Sequence, residues 1–246
     1  MDKERFRTVR QVANLRQGRN DWYRIENKTA GEPATVYIYD EIGWFGVTAA
    51  DFVKDLQAVT ADTIDLHLNT PGGDAFEGIA IYNSLKQHKA TVNVLIDGLA
   101  ASAGSFIAQA GDTISIARNA QMMIHEASGL VIGNASDMAD MAALLDKMSN
   151  NVADIYAQRA GGTVTSWRDA MRAETYYSSS EAVAAGLADD VTGETDTTNN
   201  WDLSIYAHAG REQTPPPPTP ARDMAPVMPI NVAEFRAIFE KEAAGR

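Results

Sequence analysis

Gly98-Leu-Ala-Ala-Ser-Ala-Gly-Ser-Phe106 is the stretch on which the reading of this chain turns. Ahead of it, Thr91-Val-Asn-Val-Leu-Ile-Asp97 is β-branched and apolar enough to form a strand buried on at least one face. Behind it, Ser105 to Ala110 is short, small and compatible with a helix. A serine between a strand end and a helix start, flanked only by Gly and Ala, meets little backbone crowding and lies beside free helical N–H groups. Ser102 is therefore a candidate nucleophile, with Ala100 standing where a Gly-x-Ser-x-Gly elbow has its first glycine. A serine that simply caps the helix is the alternative.

Working upstream, Thr70-Pro-Gly-Gly-Asp74 follows a strand read over Thr63-Ile-Asp-Leu-His-Leu-Asn69 and precedes a helix carrying Ile81, Tyr82 and Leu85 as a stripe. Adjacent glycines at such a junction free the backbone to turn its N–H groups toward a bound oxygen, so Gly72 and Gly73 are candidate oxyanion donors. A plain tight turn is the competing reading. His67 alternates onto the face opposite Ile64, Leu66 and Leu68 and reads as structural or solvent-facing. His88 reads as a solvated residue at a helix end. Before these, Thr35-Val-Tyr-Ile-Tyr39 is a strand, and Thr48 with Asp51 opens a helix that puts Phe52, Val53, Leu56 and Val59 on one face.

Downstream, Thr113-Ile-Ser-Ile-Ala117 and Gln121-Met-Met-Ile-His125 are short apolar runs, the second ending on a histidine. A histidine that terminates a buried strand can project into a cleft on an anchored backbone, as a general base must, although it can equally be a packed core residue. The longest helix is expected from Ser136 to about Arg159, with Met138, Met141, Leu145, Met148, Val152 and Ile155 as an apolar seam. Core packing is the simpler use of that seam, and a subunit contact is the alternative. Trp167 to Met171 and Ser180 to Ala185 read as short helices, with Gly186 capping the second.

The composition narrows the function. The chain has 246 residues, 45% of them hydrophobic, and a net charge of −12. This is enough for a real core, and it argues against a nucleic-acid partner, which needs a basic footprint. There are no cysteines, which removes disulfides, a thiol nucleophile and thiolate metal sites. Neither His-Glu-x-x-His nor a P-loop pattern occurs, and no cofactor or metal is expected. No apolar run reaches membrane-spanning length and the first residues are charged, so a cytoplasmic location, bacterial or in a host where a virus assembles, is expected. Four regions are read: an arm over 1–32, a catalytic domain over 33–193, a polar and proline-rich linker over 194–230 and a short amphipathic helix over 231–246.

The order of strand, Pro71-Gly-Gly73, helix, strand, Gly98-Leu-Ala-Ala-Ser102, helix, Met123-Ile-His125, long helix and Ser180-Glu-Ala-Val-Ala-Ala-Gly-Leu-Ala-Asp189 resembles the Clp protease proteolytic subunit family over roughly Thr35 to Val191. Tyr37-Ile-Tyr-Asp-Glu-Ile-Gly-Trp44 and Gly73-Asp-Ala-Phe-Glu-Gly-Ile-Ala-Ile-Tyr-Asn83 are most similar to its phage and prophage head-maturation branch. The resemblance implies an α/β, crotonase-like spiral of ββα units with a long oligomerisation helix. It implies a serine endopeptidase with Ser102 as nucleophile, His125 as base, and the N–H groups of Gly73 and Ala103 as oxyanion hole. Counting back from Glu181-Ala-Val183, the family's third triad position falls on Glu174, with Asp169 as the other candidate. Protein or peptide substrates and a ring homo-oligomer, such as stacked heptamers, are the implied partners, together with capsid and scaffold proteins or an AAA+ unfoldase. The family's basic segment that meets the ATPase is not recognisable in residues 1–32. A housekeeping Clp peptidase, a crotonase-type acyl-CoA enzyme and a catalytically idle assembly protein are the alternative readings.

Overall fold

A computed structural model describes residues 22–26, 32–43, 48–193 and 206. The strands are β1 (Tyr23–Glu26), β2 (Ala34–Ile38), β3 (Thr63–Thr70), β4 (Thr91–Ala101), β5 (Thr113–Ala117), β6 (Gln121–Ile124), β7 (Thr175–Ser178) and β8 (Asp190–Thr192). The helices are α1 (Ala49–Gln57), α2 (Ala75–Lys86), α3 (Ala103–Ala108), α4 (Ala135–Ala160), α5 (Val164–Arg172) and α6 (Ser179–Ala185). The main sheet runs β1-β2-β3-β4-β5-β8, parallel except for β1. Parallel strands covered by crossover helices must be apolar on both faces or closely packed. Val36, Ile64, Leu66, Leu68, Val94, Ile96, Ile114 and Ile116 are accordingly buried at the centre.

One strand belongs to two ladders. Residues Asn93 to Ile96 of β4 pair with β5, whereas Leu99 to Ala101 pair with β6. The changeover lies at Gly98. The β3–β4 register shifts between Leu68 and Thr70, and the Asn69 side chain fills the gap, its Oδ1 accepting the Leu99 N–H at 3.1 Å. A Cβ at position 98 would come within 2.7 Å of that oxygen, so the bulge needs glycine there. The far end of β4 thereby turns out of the main sheet and carries Ser102 toward β6.

The region read as an arm contains part of the sheet. β1 pairs antiparallel with β2, and Trp22 is buried, its ring stacked on Phe52 of α1 at 5.7 Å. Three aromatic rings, Trp22, Tyr23 and Phe52, cover each other. Burial of Phe52 alone removes enough apolar surface to be worth about 2–3 kcal/mol. A short polar-flanked cluster shows no period, so nothing local announced this pairing. Residues 1–21 and 27–31, the linker except Tyr206, and the terminal helix expected over 231–246 lie outside the described residues.

The long helix starts one residue earlier than read, because Asn134 is its cap: Asn134 Oδ1 accepts the Ser136 and Asp137 N–H groups. Its apolar seam divides by burial. Val152 and Ile155 are buried with Ala153 and Tyr156, Met141, Leu145 and Met148 are half-buried, and Met138 is exposed. Core packing therefore accounts for the C-terminal part of the seam and fades toward its start. Off the seam Leu144 is exposed too, as are Leu130 and Ile132 ahead of the helix, the latter 89% exposed.

Candidate active site

Three chain segments meet because of strand register. Ala101 is opposite Met123 in the β4–β6 ladder, and the Ser102 N–H continues it by donating to Met123 O at 2.9 Å. The next residues along β6 bring His125 beside the serine. On its other side β6 pairs antiparallel with β7, with Ile124 opposite Thr175, so the following pair in register is His125 and Glu174.

Ser102 has φ 52° and ψ −119°, a conformation that costs an L-residue about 1–3 kcal/mol. It occupies the cap position of α3 but its hydroxyl makes no capping bond to the helix. The hydroxyl lies instead 2.7 Å from His125 Nε2. That geometry decides against the helix-cap alternative. Behind it, Ser105 Oγ donates to Ser102 O at 2.5 Å and lies 2.7 Å from the hydroxyl of Tyr156, tying the elbow to α4.

His125 has its ionisation pushed below the ordinary imidazole value. Burial is the largest cause, and the negative charges of Glu174 and then Glu126 oppose it. The ring is thus neutral at neutral pH and able to accept a proton. Glu174 is buried, also with positive φ (49°). Burial and then the Glu174 charge push the ionisation of neighbouring Tyr176 above the usual phenol range. Asp169, the other carboxylate considered, is exposed on α5 and paired with Arg172 at 2.7 Å, away from the imidazole.

The glycine loop closes the third side. Thr70 Oγ1 donates to Asp40 O at 2.7 Å and accepts the Gly72 N–H at 3.0 Å, which pins the loop start. Ile42 N–H donates to Gly72 O and Asp74 N–H to Ile42 O, so the bridge to Ile42 uses the groups on either side of the Gly73 N–H. A Cβ on Gly72 would stand 2.6 Å from Ser102 Cβ and 2.9 Å from Ala103 N, and one on Gly73 would collide with the Ile42 carbonyl. The Gly-Gly loop therefore lies against both the serine and the first N–H of α3.

The sequence model of one family, Clp protease, matches residues 18–195. The chain belongs to the Clp protease family. Among solved structures, a ClpP1 mutant from Listeria monocytogenes is similar, with 26% identity and a TM-score of 0.58, over 66% of this chain and 92% of that one. The mixed sheet and the helices packed on it are thus the Clp, crotonase-like α/β fold, and the chemistry of the family is peptide-bond hydrolysis. No helix among the described residues is long and apolar enough to cross a membrane.

Two features escaped the sequence reading. Arg168, buried on α5, donates to Glu126 Oε1 at 2.6 Å, to Asp146 Oδ1 at 2.9 Å and to Asn150 Oδ1 at 2.6 Å. Since Glu126 directly follows His125, this clamp fixes the imidazole's backbone against α4. Its partners are 18 to 42 residues away in sequence, and no local pattern marks such a set. His67, by contrast, falls on the face expected of it: Nδ1 lies 2.8 Å from Asp97 Oδ2 and the ring stacks on Tyr37. The second missed feature is Tyr206, whose ring meets His125 edge-on at 5.1 Å.

Proposed function

We propose that this protein is a serine endopeptidase of the phage and prophage head-maturation branch of the Clp family, acting on capsid-assembly or other flexible protein chains. The observation that carries the reading is the 2.7 Å contact between Ser102 Oγ and His125 Nε2 on a strained strand-to-helix elbow. In the proposed reaction His125 Nε2 takes the hydroxyl proton as Ser102 Oγ bonds to the peptide carbonyl carbon. The carbonyl oxygen becomes an oxyanion received by the Gly73 and Ala103 N–H groups. The imidazolium then protonates the leaving nitrogen, the C–N bond breaks and an acyl-serine remains. Water, deprotonated by His125, adds to that ester and the acid product leaves as Ser102 regains its proton. Glu174 steadies the imidazolium by its charge.

The role of Glu174 has a pH signature. The acid limb of kcat/KM reports His125 and lies below its ordinary value of 6.5, because burial lowers it. Glu174→Gln removes a charge that raises that value, so the limb should move to still lower pH while the plateau falls on the order of 10²–10⁴-fold. A pH–rate profile checks both. An unmoved limb would remove Glu174 from the triad.

A crotonase-type acyl-CoA enzyme would use the same fold and paired amides, but gives the Ser102–His125 contact no task. Incubation with an unfolded protein and, separately, with acyl-CoA thioesters discriminates the two: cleavage that disappears in Ser102→Ala supports the peptidase, and thioester or hydratase turnover without proteolysis refutes it.

The proposal includes self-assembly through α4. Leu130 and Ile132 ahead of α4, and Met138 and Leu144 in its first half, are exposed apolar side chains, which suits a second copy of the chain covering them. Replacing Met138 and Leu144 by Glu should reduce the mass measured by light scattering. A wild-type monomer at assay concentration would contradict this part.

A further inference from the structure

Tyr206 is the one described residue beyond Gly193, and it lies beside His125 in the catalytic cleft. Its hydroxyl donates to the Pro71 carbonyl at 2.5 Å, its ring stands edge-on to His125, and it packs on the buried cluster Leu99, Ala101, Met123 and Tyr176. Burial is the main cause that pushes the ionisation of Tyr206 above the ordinary phenol range, with the Ser102 hydroxyl opposing it and Glu41 and Glu174 adding to it, so its proton stays on the bond to Pro71.

Seated there, the phenol covers the approach to the Ser102–His125 pair, where a substrate carbonyl carbon must come within about 3–3.5 Å of Oγ. Its hydrogen bond to Pro71 also ties it to the loop that carries the Gly73 N–H. Both effects are relieved together if the side chain leaves.

We propose that Tyr206 is the chain's own occupant of the substrate site, holding the Ser102–His125 pair idle until it withdraws. The inference rests on the peptidase reading above. It makes Tyr206 a competitor of substrate, so the apparent reactivity of the site is reduced by the fraction of molecules in which Tyr206 is seated.

The test is the rate at which a fluorophosphonate labels Ser102 in the full chain, compared among wild type, Tyr206→Phe and Tyr206→Ala, with thermal unfolding followed for each. Tyr206→Ala should label roughly tenfold faster or more. Tyr206→Phe keeps the ring but loses the hydrogen bond to Pro71, and should fall between the two. Labelling of Tyr206→Ala no faster than wild type would overturn the proposal. Should Tyr206→Ala lose its cooperative unfolding, the Phe variant decides alone: faster than wild type supports, equal or slower overturns. Absence of Ser102 labelling in every variant would instead overturn the peptidase reading, and this inference with it.

Discussion

Ser102→Ala is expected to lower peptide-bond cleavage by about 10⁴–10⁶-fold, and His125→Ala by a similar factor. The two act as one unit: the hydroxyl is a weak nucleophile until the imidazole 2.7 Å away removes its proton, and without the serine oxygen no acyl-enzyme forms for the imidazole to hydrolyse. The double variant should therefore be no slower than either single one, which separates a coupled pair from two independent contributions. Initial rates on an unfolded protein, corrected for spontaneous hydrolysis, measure this. Losses that multiply in the double variant would show that serine and histidine serve different steps.

The second large effect is expected at a residue with no reactive group. Gly72→Ala places a methyl 2.6 Å from Ser102 Cβ and 2.7 Å from Ala101 O, at a backbone φ of +97° that L-residues rarely adopt. The loop must shift, and it takes with it the Gly73 N–H assigned to the oxyanion. Loss of one such donor costs on the order of 10²–10³-fold, and displacing the nucleophile adds to it, so kcat should fall by about 10³-fold or more. Gly161→Ala is the matching control. Its φ is +77° but nothing lies within 4 Å of its added methyl, so it carries backbone strain without the clash. Turnover in Gly161→Ala close to wild type, beside a collapse in Gly72→Ala, would attribute the effect to the site and not to backbone strain. Equal losses in both would refute that attribution.

The parts of this site that were legible in the sequence share a physical cause. Ser102 is surrounded by residues without bulk, Gly72 and Gly73 interrupt a strand-to-helix junction, and His125 ends an apolar run. Each is a local demand of backbone geometry, so it leaves a local mark. Glu174 leaves none: it opposes His125 only because Ile124 pairs with Thr175, and the family resemblance, through Glu181-Ala-Val183, was needed to find it. The fork in β4 was similarly hidden, since a strand of apolar residues gives no sign of changing partners, although Gly98 marks the place afterwards. Trp22 was assigned to an arm because its partner, Phe52, is thirty residues along the chain. The seam of α4 shows the opposite failure: its period is regular along the helix, but periodicity says only that a face will be covered, not whether its own domain covers it. Tyr206 sits in a region read as linker from the polar run Thr195 to Asn200 and the prolines after Thr214, and nothing beside it in sequence points to His125, 81 residues earlier.

The central claim is that the Ser102 oxygen is the atom that becomes acylated. Mass-spectrometric mapping of a serine-reactive fluorophosphonate on the assembled, full-length protein addresses it directly. The account predicts one adduct, on the peptide that contains Ser102, which forms far more slowly in His125→Ala. An adduct on a different serine, or protein cleavage that persists undiminished in Ser102→Ala, would contradict it.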